Sequence, residues 1–345
     1  QHGRFADGDS DLAQAWYVIV ATDDRAVNDA VSAEAEARRI FCVRSDRGIA
    51  GSAVTPATAR HGGLTLGVLS GGDHRRSAAV RTALREALQA GAVNVEDTAA
   101  PHMPAGVALV GGGPGDPDLI TVRGRRLLAR ADVVVADRLA PAQLLAEVAP
   151  GAEVIDASKI PYGRAMAQEG INALLIEHAR AGRFVVRLKG GDPYVFGRGF
   201  EELLACAEAG VAVTVVPGIT SAFAVPSAAG IPVTHRGVTH EVVVVSGHLA
   251  PGHPDSLVDW DAVGRLTGTI VIMMGVAKLA GFADALIAAG RPADTPVAII
   301  QEGTTEHQRV VHAPLADIAA RAEAEGIRPP AITVIGSVVG VSISR

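Results

Sequence analysis

Continuous apolar runs alternate with amphipathic stretches along the first ninety residues of the chain. Strands are predicted at 15–21, 40–43 and 64–70, with helices at about 25–39 and between the glycines at 71–72 and Gly91. Continuous apolar strands separated by helices are typical of a parallel sheet buried on both faces. The first unit is therefore predicted to be α/β, with a parallel sheet covered on both sides.

The alternation restarts after 93–105, an irregular segment rich in Ala and Pro that we predict to be a linker following a first domain at 1–92. The second unit has predicted strands near 107–110, 133–136, 184–188, 213–216, 241–245, 269–274, 296–301 and 331–335. Helical segments separate the first four strands, whereas shorter and more irregular connections join the last four. This predicts two α/β sub-domains, 106–217 and 218–345, with a ligand site in the cleft between them.

Composition narrows the class of partner. The formal net charge is −6, so nothing favours a nucleic-acid partner, although local basic groups can still hold a small acidic ligand. Two cysteines without metal-ligand spacing fit a reducing cytoplasm, and the polar start predicts no signal peptide. The uncharged run at 209–234 is long enough to cross a bilayer, but Pro217, Pro226 and Pro232 interrupt it, so we expect no membrane span.

The glycine loop "GGGPGDP" at 111–117 follows the first strand of the second unit. A dinucleotide fingerprint would place a third glycine at position 116, where this chain has Asp116, and a P-loop would end in Gly-Lys-Ser/Thr. Pro114 also removes one backbone donor. The loop therefore indicates close approach and a fixed shape rather than phosphate binding. A tight turn without a ligand is the alternative.

Two further loops have the same character. In "VRLKGGDPYVFGRG" at 186–199, Gly190 and Gly191 allow a close backbone approach, Asp192 can accept hydrogen bonds, and Lys189 and Arg198 can meet carboxylates. An ordinary turn with surface charges is equally compatible with this pattern.

The other loop, "VVPGITSAFAVPSAAGIPVTHRG" at 215–237, places Thr220 and Ser221 where a helix begins, so helix capping is the alternative to ligand binding for both residues. His235 and Arg236 follow a turn fixed by proline and suit acidic groups.

Strand ends supply the remaining candidates. Asp137 and Arg138 follow the strand at 133–136, and ligands of parallel sheets bind beyond the carboxyl ends of the strands. Asp137 is thus a candidate acid, base or orienting group, with a helix cap or an Asp–Arg pair as the alternative. Met274 and Gly303 follow later strands and are expected to face the same cleft.

Taken together and in this order, these motifs resemble the uroporphyrinogen-III C-methyltransferases of the tetrapyrrole methylase family. The resemblance extends over about 105–340 and is carried by "VGGGPGDPDLITVRG", "ADVVVADRL", "RLKGGDPYVFGRG", "VVPGITSAFAVPSAAGIPVTHRG", "VSGHL", "MMG" and "EGTTEHQRVVH". It implies a fold of two α/β sub-domains with the active site in the cleft between them. It also implies transfer of methyl groups from S-adenosylmethionine to two ring carbons of uroporphyrinogen III, giving precorrin-2.

The resemblance further implies site residues. Those expected to bind S-adenosylmethionine are Pro114, Gly190, Gly191, Asp192, Val195, Thr220, Ser221, Met274 and Gly303. Asp137 matches the proton-handling aspartate of the family and Lys159 a lysine of its site. Because the substrate carries eight carboxylates, Arg138, Arg187, Arg198 and His235 are expected to anchor it. A homodimer is implied as well.

Residues 15–91 resemble the precorrin-2 dehydrogenase/ferrochelatase module of sirohaem synthesis, giving a partial Rossmann-like unit. Asp46 matches the dual-role aspartate of that family, and Ser70 falls where some members carry a phosphoserine; a turn and a helix cap are the respective alternatives. The glycine turn that holds NAD is missing before Trp16, so this chain is expected to oxidise precorrin-2 poorly or not at all.

Three other functions remain open at this stage. One is an NAD-dependent dehydrogenase and chelatase with a degenerate methylase domain, although the methylase motifs are intact. Another is a methylase of a later corrin intermediate, which the fused dehydrogenase-like module disfavours because that module uses precorrin-2. The third is a non-catalytic binding or scaffold protein. Its glycine loops would be expected to have lost their motifs, whereas the motifs of this chain are intact.

Overall fold

The computed structural model describes residues 12–90, 103–157 and 168–341. Contacts between residues divide the chain into two compact units, Gln1–Val95 and Glu96–Arg345. The division falls inside the predicted linker. Lys159 lies outside the described residues.

The first unit contains one parallel strand pair and one antiparallel hairpin. Its elements are β1 (Tyr17–Val20), α1 (Arg25–Ala37), β2 (Phe41–Arg44), β3 (Ala57–His61), β4 (Leu64–Val68) and α2 (His74–Ala90). β1 and β2 pair in parallel, but β3 and β4 are antiparallel, so the prediction of a wholly parallel sheet was wrong for β4. The reason is the turn: Gly62 and Gly63 both have positive φ, of 52° and 85°, and so connect adjacent antiparallel strands directly.

The first half of the second unit is a five-stranded parallel sheet with helices. Its elements are β5 (Gly106–Gly111), α3 (Val122–Leu128), β6 (Val133–Ala136), β7 (Glu153–Asp156), α4 (Gln168–Arg180), β8 (Phe184–Lys189), α5 (Gly199–Glu208) and β9 (Val213–Val216). The strand order is β7-β6-β8-β5-β9, and every neighbouring pair is parallel. We call residues 106–216 the parallel half.

The remaining elements form a second, mixed sheet with its own helices. They are α6 (Ser221–Ala228), β10 (Val242–Ser246), α7 (Trp260–Arg265), β11 (Thr269–Met273), α8 (Leu279–Ala288), β12 (Pro296–Gln301), β13 (Arg309–Pro314), α9 (Ile318–Ala324) and β14 (Ala331–Ile335). The order is β10-β11-β14-β12-β13, with only β10 and β11 parallel. We call residues 221–341 the mixed half.

All eight strands predicted for the second unit are present, whereas β7 and β13 were not predicted. Both are edge strands, and polar residues interrupt their apolar pattern, as in "RVVHAP" of β13. Val, Ile, Leu and Ala fill most of the core on both faces of the parallel sheet. Within the described ranges, no helix is long and apolar enough to cross a membrane; the uncharged run at 209–234 instead forms β9, α6 and their turns.

Candidate active site

The topology of the parallel half gathers the predicted loops at one edge of its sheet. β5, β6, β8 and β9 run in the same direction, so the segments that follow Gly111, Ala136, Lys189 and Val216 all leave from the same edge. These are the segments that carry the glycine motifs and Asp137. Spacing in the sequence alone does not show this proximity, because it depends on the strand order.

Glycines bring three of these loops into backbone contact. A Cβ atom built on Gly111 would lie 2.5 Å from Cα of Gly218 and 2.7 Å from the carbonyl oxygen of Gly191. The amide of Gly191 donates to the carbonyl of Gly113 at 2.6 Å, and the amide of Gly113 donates back at 3.3 Å. Side chains are therefore excluded where the loops after β5, β8 and β9 meet.

Several backbone amides of the first glycine loop, 111–117, donate hydrogen bonds to other groups of the protein. The amide of Gly112 donates to the carbonyl of Lys189 at 2.7 Å, and the amide of Asp116 donates to Oγ1 of Thr304 at 3.1 Å. Pro114 has no amide hydrogen, and the amide of Gly113 is paired with Gly191. These donors are unavailable to a phosphate, which agrees with the interpretation of the loop as a shaped wall.

The mixed half reaches the same place through the turn between β12 and β13. A Cβ atom on Gly115 would lie 2.9 Å from Cγ2 of Thr305 and 3.3 Å from the carbonyl oxygen of Gly303. Gly303 is in turn packed against α6, since a Cβ there would lie 2.3 Å from Cγ1 of Val225. The two halves therefore meet at the glycine loops, and a ligand site beside this contact stays a prediction.

Residues in the left-handed backbone region mark the same turns. In the described part of the second unit, the non-glycine residues with positive φ are Phe196, Arg198, Met274, Glu302 and Thr304. A strained backbone of this kind persists only where surrounding structure enforces it, and it is concentrated at functional sites. Each of these residues lies on a loop that the sequence identified as part of the site.

Asp192 and Thr220 hold loops in place. The Asp192 carboxylate accepts hydrogen bonds from the amides of Tyr194 at 2.8 Å and Gly218 at 3.0 Å. Its oxygens thus fix the geometry of two glycine loops. Thr220 is the N-cap of α6, where its hydroxyl accepts from the amide of Ala222 at 3.4 Å, so the helix-capping alternative describes this side chain.

Asp137 directly follows β6 and forms hydrogen bonds with the neighbouring strand β8. Its amide donates to the carbonyl of Leu188 at 3.0 Å, and its Oδ1 accepts a hydrogen bond from Nη2 of Arg187. About a third of the Asp137 side chain is exposed, whereas Arg187 is almost completely buried. A carboxylate with a fixed orientation and one side open to solvent is suited to accept a proton.

The expectation that Arg187 anchors substrate was wrong, because its side chain is only 2% exposed and faces inward. Its Nε donates to Oε1 of Glu202 at 3.0 Å. Lys189, two residues further along β8, is also buried, and its Nζ donates to the same Glu202 oxygen at 3.0 Å. Burial and the nearby Arg187 guanidinium lower the pKa of the Lys189 ammonium, and Glu202 and Asp137 oppose that shift.

The other expected anchors lie at the surface. Arg198 is the N-cap of α5, and its guanidinium forms an exposed ion pair with Glu201 at 2.7 Å. Arg138 and His235 are exposed, and Nδ1 of His235 lies 2.8 Å from the carbonyl oxygen of Arg236. Met274 directly follows β11 with φ of 58° and is half exposed. These four side chains are accessible to a ligand.

Comparison with known families decides the class of protein. A family model described as Tetrapyrrole (Corrin/Porphyrin) Methylases matches residues 106–319, more than half of the chain and both halves of the second unit. The chain belongs to the tetrapyrrole methylase family. The glycine loops at the contact between the two halves are therefore those of a tetrapyrrole methylase.

Individual relatives agree with this assignment. An S-adenosyl-L-methionine-dependent uroporphyrinogen III methyltransferase of Methanosarcina barkeri is 48% identical over 233 residues, 68% of this chain and 91% of that protein. A crystal structure of uroporphyrin-III C-methyl transferase from Thermus thermophilus complexed with S-adenyl homocysteine has 43% identity and a TM-score of 0.57, covering 68% of this chain and 99% of that chain.

The first unit of this tetrapyrrole methylase also has relatives. A family model described as NAD(P)-binding matches residues 1–57. A siroheme synthase of Methylobacillus flagellatus is 37% identical over an alignment that covers 93% of this chain and 80% of that protein. Residues 1–11 of this matched segment lie outside the described residues.

Asp46 and Ser70 make local contacts in the first unit. Asp46 accepts two hydrogen bonds from the buried guanidinium of Arg44, at 2.8 and 2.7 Å, and Asp29 accepts a third at 2.7 Å. The Arg44 guanidinium holds the pKa of the Asp46 carboxyl well below its usual range. Ser70 precedes α2, and its hydroxyl lies 2.6 Å from that of Ser77. Asp46 thus matches the alternative of a turn. The Ser70 hydroxyl donates to the carbonyl of Asp73 at 2.6 Å, and it is the Asp73 carboxylate that caps α2 by accepting from the amide of Arg76 at 2.9 Å.

Asp46→Asn is expected to lower the melting temperature of the first unit by a few degrees at pH 7, because it leaves the buried Arg44 guanidinium short of one charge. The stabilisation is present above the ordinary aspartate pKa and is lost as the pH falls through the lowered value, so the variant should differ least from wild type in acid. Circular dichroism melts across this pH range measure the effect. Asp23→Asn, at an exposed position, is the matched control; equal melting temperatures for the two variants at pH 7 would contradict the role of the pair.

Sequence reasoning missed Glu202, a fully buried carboxylate on α5. A usable signal was present, because Arg187 and Lys189 alternate on a strand whose other residues are apolar. Two cations on one buried face of a sheet require anions nearby. The sequence does not indicate which of the many acidic residues supplies them.

Proposed function

We propose that this protein is an S-adenosylmethionine-dependent uroporphyrinogen-III C-methyltransferase that methylates two ring carbons and yields precorrin-2. The observation that carries the proposal is the contact between glycine loops from both halves of a tetrapyrrole methylase. Several backbone amides of these loops are already paired with carbonyl groups of neighbouring loops. The relatives of highest identity named above bear this activity in their names. Precorrin-2, the product, would also be the substrate of a sirohaem-forming module fused to the methylase. The similarity of the chain to a siroheme synthase suggests such a module.

The residues present fit S-adenosylmethionine. The loops after β5, β8 and β9 approach one another so closely that Cβ atoms at Gly111 and Gly218 would overlap neighbouring backbone. This leaves a smooth backbone wall without phosphate-binding amides, as suits a ligand that carries a positively charged sulfonium and no phosphate. The residues proposed to hold it are Pro114, Gly190, Gly191, Asp192, Val195, Thr220, Ser221, Met274 and Gly303.

Bound S-adenosylmethionine supplies an electrophilic methyl group. The loops of this chain would hold donor and tetrapyrrole in a fixed relative position, which accounts for most of the rate enhancement expected for such a transfer. Asp137 would take the proton that leaves the ring during the reaction, since its carboxylate is held by Arg187 and remains partly open to solvent. Lys159 is proposed as a second proton-handling group on the strength of the family resemblance.

The carboxylates of the substrate require cations at the rim of the site. We assign this role to the exposed Arg138 and Arg198, and no longer to the buried Arg187, and propose that the exposed His235 contributes a hydrogen bond to a substrate carboxylate. An arginine can bind a carboxylate through two parallel hydrogen bonds. The ion pair between Arg198 and Glu201 would have to open or share its guanidinium when the substrate arrives.

The proposed function is tested by titrating purified protein with S-adenosylhomocysteine in a calorimeter and then following its formation anaerobically from S-adenosylmethionine. Uroporphyrinogen III should trigger product formation, and a later corrin intermediate should not. Formation only with the later corrin would replace the proposed substrate. Absence of binding would contradict the interpretation of the glycine loops.

A second activity, NAD-dependent oxidation of precorrin-2 by the first unit, is favoured by the family match over residues 1–57. Absorbance of NADH at 340 nm after addition of NAD to the methylation mixture measures it. NADH formed faster than the rate without enzyme would establish this activity, and the lack of any excess would confirm the expectation of poor or absent oxidation.

We also propose that the protein is a homodimer and acts in the cytoplasm. Tyr194 and Phe200 form an edge-to-face pair with ring centroids 5.8 Å apart, yet about half of each side chain is exposed, as in surfaces that bind a second chain. Both cysteines are free and buried, which suits a reducing compartment. Light scattering coupled to size-exclusion chromatography should give twice the chain mass of 35.3 kDa.

A further inference from the structure

We propose that Glu202 is a positioning residue for methyl transfer, because it binds Lys189 and Arg187 and so leaves the partly exposed Asp137 carboxylate with Arg187 as its close cation. The inference rests on the proposed function. It concerns a residue on α5 that does not itself reach the rim, so it acts through Asp137.

The four charged groups form a connected cluster that runs from α5 to the end of β6. Oε1 of Glu202 accepts from Nε of Arg187, Nζ of Lys189 and Nε2 of Gln168, at 3.0, 3.0 and 3.2 Å. Nη2 of Arg187 then donates to Oδ1 of Asp137. The side chains of Glu202, Arg187 and Lys189 are 0%, 2% and 3% exposed, against 33% for Asp137. Within this cluster, solvent access is therefore concentrated at Asp137.

The position of Arg187 is fixed by the sheet and not only by its ion pairs. Arg187 is the register partner of Val135 in the parallel pairing of β6 with β8. Its Nη1 donates to the carbonyl of Val135 at 3.2 Å. The guanidinium is therefore held from three sides: by the backbone of β6, by Glu202 and by Asp137.

The charge of Glu202 determines which carboxylate Lys189 binds. Its Nζ lies 3.0 Å from Oε1 of Glu202 but 3.7 Å from Oδ2 of Asp137. Glu202 therefore competes with Asp137 for the lysine. Without the charge of Glu202, two buried cations would share the single carboxylate of Asp137, and Lys189 would close the 3.7 Å gap to Oδ2 and occupy that oxygen.

The charge count supports this interpretation over a purely structural one. Two cations and two anions balance, although no described residue donates a hydrogen bond to Oε2 of Glu202. A buried carboxylate with an unpaired oxygen is costly, and a neutral amide could accept the same bonds through one oxygen. The retained negative charge is explained if it offsets Lys189 and Arg187.

The test compares Glu202→Gln with Glu208→Gln, an exposed glutamate at the end of the same helix. Glu202→Gln is expected to lower kcat by at least about tenfold, with S-adenosylhomocysteine affinity changed less than about twofold, and Glu208→Gln should behave as wild type. In an Asp137→Asn background, Glu202→Gln should have no further effect. A full additional loss there, or an unchanged kcat for Glu202→Gln alone, would overturn the proposal.

A rescue variant separates positioning from folding. Adding Lys189→Met to Glu202→Gln restores the charge balance and removes the competitor for Asp137, so most of the lost kcat should return. This pair also keeps the cluster neutral, which favours folding where Glu202→Gln alone is unstable. A merely structural role predicts a further loss, and that result would contradict the inference.

A structural readout keeps this inference separate from the proposed function. In a crystal structure of Glu202→Gln, Nζ of Lys189 should lie within hydrogen-bonding distance of Asp137, at roughly 3 Å. An unchanged separation would overturn the proposal whatever the substrate of the enzyme. If Lys189 has moved toward Asp137 in this crystal structure but the wild-type protein does not methylate uroporphyrinogen III, only the proposed function is contradicted.

Discussion

Asp137→Asn is expected to lower kcat for methylation of uroporphyrinogen III by about 10²–10⁴-fold, the range typical of a lost general base. Asparagine keeps the shape of the side chain but cannot take up a proton at neutral pH. The backbone hydrogen bond to Leu188 is unaffected, but the amide leaves the buried Arg187 and Lys189 short of one charge, so the melting temperature should also fall. Stopped-time assays of S-adenosylhomocysteine formation measure the change, with calorimetry to confirm that S-adenosylhomocysteine still binds.

Asp284→Asn, at an exposed position on α8, is the matched control and should retain wild-type turnover. A variant at Asp137 with a kcat within about threefold of wild type would fall well short of the loss expected for a general base and would remove this residue from the chemistry. A variant that has lost ligand binding as well would indicate that Asp137 acts on the structure of the site rather than on the proton.

Gly111→Ala is expected to reduce the affinity for S-adenosylhomocysteine by at least about 100-fold, since it inserts a methyl group where three backbone segments meet. The new Cβ would lie 2.5 Å from Cα and 2.6 Å from the nitrogen of Gly218, and 2.7 Å from the carbonyl oxygen of Gly191. Backbone atoms cannot rotate away as a side chain can. The loops must separate, at a cost of about 1–3 kcal/mol in folding free energy.

Gly281→Ala provides the comparison. This glycine lies in α8, where the nearest atom to an added Cβ is Cδ of Pro251 at 3.9 Å, an ordinary contact. Alanine should stabilise the helix by up to about 1 kcal/mol and leave ligand binding unchanged. Calorimetric affinities and urea unfolding curves for both variants test the pair of predictions; equal affinities would show that the glycine contact at Gly111 does not shape the ligand site.

The sequence predicted buried strands well and edge strands poorly. β5 and β6 are continuous apolar runs because both faces of the parallel sheet are covered, and such runs are recognisable without a structure. β8 is apolar except for Arg187 and Lys189. β7 and β13 lie at sheet edges, where polar residues are tolerated and the pattern is lost. The hairpin of β3 and β4 was missed for a related reason, since "ATARH" is mostly polar or small.

Site residues were predictable where a motif carries them and less so where burial decides the role. The glycines of the loops after β5 and β8 were identified from their types alone, yet their contact depends on strand order. Arg187 has the chemistry of an anchor, but its position opposite Val135 on a covered face turns it inward. Glu202 was not predicted because a glutamate in the first turn of a helix is normally exposed.

Double methylation of uroporphyrinogen III by this protein can be measured by mass spectrometry. The purified chain is incubated anaerobically with uroporphyrinogen III and with S-adenosylmethionine that carries a deuterated methyl group, and the mass of the tetrapyrrole formed is determined. We expect a product whose mass has increased by two labelled methyl groups. A tetrapyrrole of unchanged mass, from protein shown by calorimetry to bind S-adenosylhomocysteine, would contradict this expectation.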